Sequence, residues 1–192
     1  MTELVAVPPM PRIAFIGPMG IGKTTALRSL CSTALASCDI ANSDKTVDIK
    51  EFTTVGVEFG QIDLGKGEVV QVCGCPGQNR FNFVRDWIIS VSVGLFLLID
   101  VNTDDAVETA GILLTEAAAV GQSPSVLVLS SRPAPLATVQ SFANGLLATG
   151  HGVIPVMEVD VRFRPQLLNA LQVLVSMLSL RAPPNATAFT KS

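Results

Sequence analysis

Eight residues near the start of the chain constrain its fold and chemistry more than any others. Residues 17–24 read GPMGIGKT and match the pattern GxxxxGK[ST]. Glycines let a backbone wrap around an anion, lysine adds a positive charge, and threonine adds a hydroxyl that can bind Mg²⁺. The pattern predicts that its eight residues and the threonine directly after them bind phosphate. These residues are Gly17, Pro18, Met19, Gly20, Ile21, Gly22, Lys23, Thr24 and Thr25.

The residues on either side of this loop support the same interpretation. Residues 12–16 form a short apolar run that is typical of a strand, and residues 23–37 carry apolar side chains at helical spacing. A strand before the loop and a helix after it is the context in which the pattern binds phosphate, because the N-terminus of the helix attracts anions. The alternative, a glycine-rich turn without a ligand, would leave Lys23 without a role.

The rest of the chain alternates between strand and helix patterns. We expect a polar loop at 39–53, a hairpin of strands 55–64 and 68–73, and a loop at 74–85 that ends in helix. Strands are then predicted at 93–99, 125–129 and 153–159, and helices at 104–120, 136–148 and 164–180. This order predicts one α/β domain over residues 12–180, with about six strands, one of them antiparallel, and helices on both faces of the sheet. Residues 1–11 are expected to be flexible and residues 181–192 to be a disordered tail.

Composition excludes several classes of protein. Hydrophobic residues make up 48% of the 192 residues and charged residues 15%, which argues against disorder. A net charge of -3 gives no basic surface for nucleic acid. The longest apolar run, residues 91–101, is about half the length of a spanning helix, and the N-terminus lacks the features of a signal peptide. We therefore expect a cytoplasmic protein with no membrane span, whose apolar surface is partly covered by a partner or by a second copy in a homodimer.

Cysteine and histidine residues give little evidence of a further site. The four cysteines, at positions 31, 38, 73 and 75, lack the CxxC spacing of zinc and redox sites, so we expect free thiols. His151 lies between two glycines and is predicted to be a loop residue rather than a catalytic one.

Two further stretches carry a resemblance to a known family. Residues 53–59, TTVGVEF, resemble the TIGVDF segment of Rab-like switch I regions, and residues 70–81, VQVCGCPGQNRF, resemble the Ras segment QIWDTAGQERF. The form GxPGQxRF is similar to that of bacterial Ras-like GTPases of the conservon and gliding-motility types. Over residues 12–180 the resemblance implies a P-loop NTPase G-domain that binds GTP or GDP with Mg²⁺. It also implies slow hydrolysis of GTP and a roadblock-domain protein as partner.

The resemblance assigns roles to three residues outside the phosphate loop. Thr54 would bind Mg²⁺ together with Thr24 and contact the γ-phosphate, Gly77 would donate its backbone N–H to that phosphate, and Gln78 would orient the attacking water. The alternatives are a strand-edge threonine at position 54 and a solvated glutamine at position 78.

Aromatic and basic residues follow this segment. Arg80 and Arg85 are expected to be surface residues, with a charge clamp as the alternative. The aromatic cluster that ends at Trp87 either packs on the sheet or forms a partner surface that depends on the nucleotide.

The family pattern is broken at the metal site. The aspartate of the DxxG motif falls on Gly74, and Glu58, Asp63 or Asp100 could supply a carboxylate in its place.

The pattern is broken at the base site as well. Residues 130–133, SSRP, stand where NKxD would bind guanine, and the loop at 158–160 lacks an SAK motif, although Asp160 could supply a carboxylate. Guanine preference therefore follows only from the resemblance. A pseudo-GTPase that binds nucleotide without hydrolysis, and a P-loop ATPase or kinase, are the alternative functions.

Overall fold

A computed structural model describes residues 10–31, 34–40, 55–120 and 124–181. Thr54 and most of the predicted terminal segments, 1–11 and 181–192, therefore lie outside the described residues, while Arg181 is the last residue of a helix. The strands are β1 (Arg12–Ile16), β2 (Ala36–Ile40), β3 (Val55–Gly65), β4 (Glu68–Gly74), β5 (Gly94–Ile99), β6 (Ser125–Ser130) and β7 (Val156–Glu158). The helices are α1 (Lys23–Leu30), α2 (Asn82–Ser90), α3 (Ala106–Ala119), α4 (Leu136–Ala148) and α5 (Arg164–Arg181), and a 3₁₀ turn (Asn79–Phe81) precedes α2.

Seven strands of the described residues form one sheet in the order β2-β3-β4-β1-β5-β6-β7. β1 lies at its centre and pairs in parallel with β4 and β5, while β3 is antiparallel to both of its neighbours, β2 and β4. One strand therefore runs against the others. The predictions of an α/β fold, a mostly parallel sheet and a hairpin between β3 and β4 are confirmed.

Side chains of β1 alternate between two hydrophobic cores, as the two-residue period of a strand requires. Ile13 and Phe15 lie in the core that α1 and α5 cover. Ala14 and Ile16 lie in the core that α2, α3 and α4 cover. Helices thus pack on both faces, and β1 is buried from both sides. A strand in this position is held firmly, which fixes where the loop that follows it begins.

The segment after α1 differs from the sequence prediction. The helix predicted for residues 23–37 ends at Leu30, and Ala36–Ile40 form β2 where a helix end and a loop were expected. The side chain of Leu35 packs against the core beneath β3. The Cδ2 of Leu35 lies 2.8 Å from the position that a Cβ on Gly60 would take. Pairing of Ala36 with Phe59 extends the sheet by one strand, which is why it has seven strands rather than about six.

Within the described part of the chain, no helix combines the length and the apolar character that crossing a bilayer requires.

Candidate functional site

The phosphate loop, residues 17–24, joins the buried end of β1 to the start of α1. Gly17, Gly20 and Gly22 have φ angles of 145°, 76° and 115°, a region that side-chain-bearing residues rarely adopt. At Gly17 a Cβ would also collide with the carbonyl oxygen of Leu98 on β5. The glycines of the motif are therefore required by the path of the loop.

Lys23 lies at the first turn of α1 and points back over this loop. Its Nζ donates hydrogen bonds of 2.7 Å to the carbonyl oxygens of Gly17 and Pro18. Burial lowers the pKa of Lys23 to about 8, and the Glu58 carboxylate acts in the opposite direction. The ammonium group is thus held in a fixed position and is partly shielded from water, which strengthens its interaction with an anion.

A first cavity of about 320 Å³ opens over the phosphate loop. Most of the predicted phosphate-binding residues line it, together with residues that follow β4. Gly17, Pro18 and Ile21 do not line it: the first two bind Lys23, and Ile21 packs into the core beside α1 and α5. The lining residues are Met19, Gly20, Gly22, Lys23, Thr24, Thr25, Glu58, Gly74, Cys75, Pro76 and Gly77.

The opposite wall of the first cavity is the segment after β4. Cys75 continues the parallel pairing, since its N–H donates to the carbonyl of Phe15 at 2.9 Å. Gly77 then passes so close to the phosphate loop that a Cβ there would lie 2.7 Å from the backbone nitrogen of Met19. Gln78 is exposed beside the cavity, with its Nε2 3.6 Å from the sulfur of Met19. The structure thus brings the predicted Gly77 and Gln78 to the phosphate loop.

A carboxylate reaches the first cavity from a strand other than the one that the family pattern uses. Glu58 on β3 pairs with Gly74 on β4, and its Oε2 lies 3.8 Å from the place that a Cβ of Gly74 would take. Asp63 instead accepts from Gly65 in the β3–β4 turn, and Asp100 accepts from Asn102. Of the three candidates, Glu58 is the one that lines the cavity. Nowhere in the described ranges do three or more His, Cys, Asp or Glu side chains form a metal-binding group.

A second cavity of about 410 Å³ adjoins the first. The two share Gly20, Gly22 and Thr25, so they meet across the phosphate loop. The walls of the second cavity are the segments after β6 and β7 and the start of α5. Its other lining residues are Ser131, Arg132, Pro133, Glu158, Val159, Asp160, Val161, Arg162 and Gln166.

The segment after β6 supports the phosphate loop from behind. Arg132 donates to the carbonyl oxygens of Ile21 at 3.2 Å and Gly20 at 3.3 Å. The hydroxyl of Ser131 lies 3.4 Å from the same Ile21 oxygen. Sequence reasoning missed this support, and the only signal for it was the position of both residues at the carboxyl end of a central parallel strand.

Asp160 lies in the second cavity, but its carboxylate is already bound. Nε and Nη2 of Arg162 donate to Oδ1 and Oδ2 at 2.9 and 2.8 Å, and the backbone N–H of Arg162 donates to Oδ1 at 3.0 Å. These hydrogen bonds lower the pKa of Asp160 to about 2. The N–H of Asp160 in turn donates to Oε1 of Gln166 at 2.7 Å, which anchors the turn on α5.

The 3₁₀ turn and helix α2 carry the arginine and aromatic residues that follow Gln78. Arg80 is exposed, as predicted, with its guanidinium 4.8 Å from the ring centre of Phe81. The prediction of a surface residue is wrong for Arg85, which is buried and lies 2.7 Å from Glu116 because α2 packs on α3. The aromatic cluster divides: Phe81 packs into the core, while Phe83 and Trp87 are exposed.

The cysteines were predicted to be free thiols and His151 to be a loop residue. Cys31, Cys73 and Cys75 are free thiols, and the side chain of Cys38 is outside the described part. His151 lies in the segment between α4 and β7, with its Nε2 3.3 Å from the hydroxyl of Thr115.

No protein-family model matches this chain, and no curated protein matches it. Function must therefore be inferred from the motifs and from the geometry of the two cavities.

Proposed function

We propose that the protein is a small GTP-binding switch of the Ras-like, P-loop NTPase type, which hydrolyses GTP slowly to GDP and phosphate. The observation that carries the proposal is the first cavity: the phosphate loop and Lys23 form one wall, and the backbone of Gly77 approaches from the other. This arrangement offers backbone N–H groups, a helix N-terminus and an ammonium group to a chain of phosphates.

The paired cavities suit the two halves of a nucleotide. Phosphates bind in the first cavity beside Lys23, and the nucleoside lies in the second, because the two meet at Gly20, Gly22 and Thr25. A bound GDP or GTP thus lies across the loop that Arg132 supports.

Hydrolysis would use the loop after β4. A water attacks the γ-phosphorus, the bond to the β-phosphate oxygen breaks, and the electron pair leaves with GDP. Gln78 has a side-chain amide that both donates and accepts, which is what holding such a water in line requires. The N–H of Gly77 would donate to the γ-phosphate as charge moves during the reaction.

The donor atoms of the first cavity are suited to binding Mg²⁺. The hydroxyl of Thr24 and the carboxylate of Glu58 are hard oxygen donors, which Mg²⁺ prefers, and phosphate oxygens would complete its coordination. When bound, the ion neutralises charge on the phosphates. Thr54 stays a predicted ligand and catalytic residue, since it lies outside the described residues.

A partner surface adjoins the proposed switch. Phe83 and Trp87 are 61% and 54% exposed on α2, the helix that begins just after Gln78. Exposed aromatic residues beside a segment that responds to nucleotide suit a protein interface. A roadblock-type regulator, or a second copy of the chain, is the proposed occupant, and the proposed location is the cytoplasm.

A nucleotide-binding module without hydrolysis is the second candidate. Gly74 gives the metal site no side chain from β4, and residues 130–133 place no carboxylate in the second cavity. Binding would still be possible through the phosphate loop. Hydrolysis would then be lost while a nucleotide-dependent partner surface remained.

Calorimetric titration of nucleotide-free protein with GTP, GDP and ATP, each with Mg²⁺, tests the proposal. We expect GTP and GDP to bind and Lys23→Ala to abolish binding. Failure of all three nucleotides to bind would refute it, and ATP binding tighter than GTP would refute the guanine assignment.

Turnover separates the two candidates. Gln78→Ala should slow GTP hydrolysis by at least about tenfold, because orientation of the water is lost. Gln140→Ala, an exposed glutamine on α4, is the matched control and should leave the rate unchanged. Equal rates in wild type and Gln78→Ala would favour the binding module.

A further inference from the structure

The second cavity contains several polar side chains that line its walls, but most are already occupied. Arg132 binds the carbonyl oxygens of Gly20 and Ile21, and Ser131 binds that of Ile21. Gln166 accepts from the backbone of Asp160. These hydrogen bonds fix the walls of the cavity.

Asp160 is also occupied as an acceptor. Its Oδ1 accepts from the backbone N–H and from Nε of Arg162, and its Oδ2 accepts from Nη2. A carboxylate that bound the N1 and N2 donors of guanine would need a free site on each oxygen. Asp160 therefore positions Arg162 rather than reading the base itself.

Arg162 retains the hydrogen-bonding capacity that Asp160 lacks. A guanidinium has five N–H groups in one plane. Only Nε and one N–H of Nη2 face Asp160. Among the described residues nothing binds the outer edge, formed by Nη1 and the second N–H of Nη2, so it remains a pair of parallel donors. Arg162 also lines the second cavity.

We propose that Arg162, oriented by Asp160, selects guanine by donating to its O6 and N7 atoms, an inference that rests on the proposed function. Guanine offers two acceptors on that edge, whereas adenine offers the N7 acceptor and an N6 amino donor. A donor pair therefore matches guanine and opposes adenine. This would replace the carboxylate that residues 130–133 do not supply.

The expected selectivity is modest. The side chain of Arg162 is 77% exposed, so water competes for its N–H groups. A bidentate arginine–guanine contact discriminates guanine from other bases by roughly 5- to 100-fold. Because Arg162 is exposed, we expect GDP to bind about tenfold more tightly than ADP. Glu158 also lines the cavity and is exposed, so it is the alternative reader, through N1 and N2.

Modified nucleotides distinguish the two edges of the base. Calorimetric Kd values would be measured for GDP, ADP, IDP and 7-deaza-GDP with Mg²⁺, on the full chain. IDP keeps O6 and N7 but lacks the 2-amino group, whereas 7-deaza-GDP lacks N7. Recognition by Arg162 predicts that IDP binds within about twofold of GDP and that 7-deaza-GDP binds several-fold more weakly.

Variants assign the effect to residues. Arg162→Lys keeps the charge but loses the planar donor pair, so it should bring the GDP and ADP affinities within about twofold of each other. Asp160→Asn should weaken the preference in part. Glu158→Gln tests the alternative reader, and it should lose the preference only if Glu158 binds the base. Competition by inorganic pyrophosphate should be the same in all four proteins, which shows that the phosphate site is intact.

The outcomes separate this inference from the proposed function. Should wild type bind no nucleotide, the proposed function fails. Should it bind GDP and ADP equally, or keep its preference in Arg162→Lys, only the role of Arg162 is refuted. If IDP binds more weakly than GDP to wild type, and this difference disappears in Glu158→Gln, recognition of the base is assigned to Glu158 instead.

Discussion

Arg85 of α2 and Glu116 of α3 form an ion pair in which Nη2 and Oε2 lie 2.7 Å apart, and the side chains are 4% and 28% exposed. Nη2 of Arg85 also donates to Oδ1 of Asn82 at 2.7 Å. Within the described residues, Arg85 Nε and Glu116 Oε2 lack a hydrogen bond of good geometry, so the Arg85–Glu116 contact is mainly electrostatic. It holds α2, the helix beside the candidate site, against α3.

Removal of this pair should destabilise the protein. Glu116→Ala leaves the buried guanidinium without its counter-ion, and we expect the free energy of unfolding to fall by about 2–3 kcal/mol, below the full cost of a buried pair because Glu116 keeps some water. Urea denaturation measures the change. Arg162→Ala removes a solvent-exposed ion pair instead and should change stability much less. Equal losses of stability in the two variants would mean that burial of Arg85 does not increase the contribution of its ion pair to stability.

Gly77→Ala should disturb the candidate site through the backbone. The new methyl group would lie 2.7 Å from the nitrogen of Met19 and 2.9 Å from the carbonyl carbon of Pro18, so the two loops must separate. We expect a loss of about 1–3 kcal/mol in stability and weaker GDP binding, measured by denaturation and calorimetry.

Gly111→Ala provides the matched control for that variant. Gly111 lies within α3, where a Cβ would make an ordinary contact of 3.7 Å with Thr149. Alanine is the better helix former, so stability should stay the same or rise by up to about 1 kcal/mol. Similar losses in both variants would show that the approach of Gly77 to the phosphate loop has no special effect.

Glu58→Gln should change how GDP binding depends on Mg²⁺. The proposed carboxylate ligand becomes a neutral amide, so the Mg²⁺ concentration for half-maximal GDP binding should rise by about tenfold or more, while binding without Mg²⁺ stays similar. Titration with Mg²⁺ at fixed GDP measures this. Glu68→Gln, at the exposed start of β4, is the control. An unchanged Mg²⁺ requirement in Glu58→Gln would remove Glu58 from the metal site.

The sequence predicted the centre of the fold better than its edge. β1 and the phosphate loop were placed correctly, because glycines with positive φ and a strand buried on both faces leave strong local patterns. β2 was missed, since its placement depends on pairing with β3, about twenty residues further along the chain. Local spacing instead favoured a longer helix, which tertiary packing overrides.

The candidate site was predictable in its motif and not in its supports. Lys23, Gly77 and Gln78 came from patterns that are contiguous in sequence. Glu58, by contrast, enters the cavity only because the hairpin register places it opposite Gly74. Arg132 supports the phosphate loop from more than 100 residues away, a contact that no single-sequence pattern encodes.

Lys23 should make nucleotide binding depend on pH. Burial lowers its pKa to about 8 in the free protein, and bound phosphates would raise it again by favouring the charged form. Below pH 8 the amine is charged in both states, so affinity is nearly flat. Above pH 8 binding must take up a proton, so the affinity for GDP should fall by up to about tenfold per pH unit.

Calorimetric Kd values for GDP at pH 7, 8 and 9 test this dependence, with Lys23→Arg as the control. Arginine remains charged throughout this range, so the variant should bind weakly but with little change across the range. Titration of the nucleotide itself affects both proteins equally and cancels in the ratio of their Kd values.

The stability of the free protein should change with pH in the opposite direction to the affinity for GDP. The unfolded chain holds the Lys23 proton up to its ordinary pKa of 10.5, so the contribution of Lys23 to the free energy of unfolding should rise between about pH 8 and 10.5. If GDP affinity and stability vary with pH in the same way in wild type and in Lys23→Arg, the ammonium group does not titrate in the candidate site.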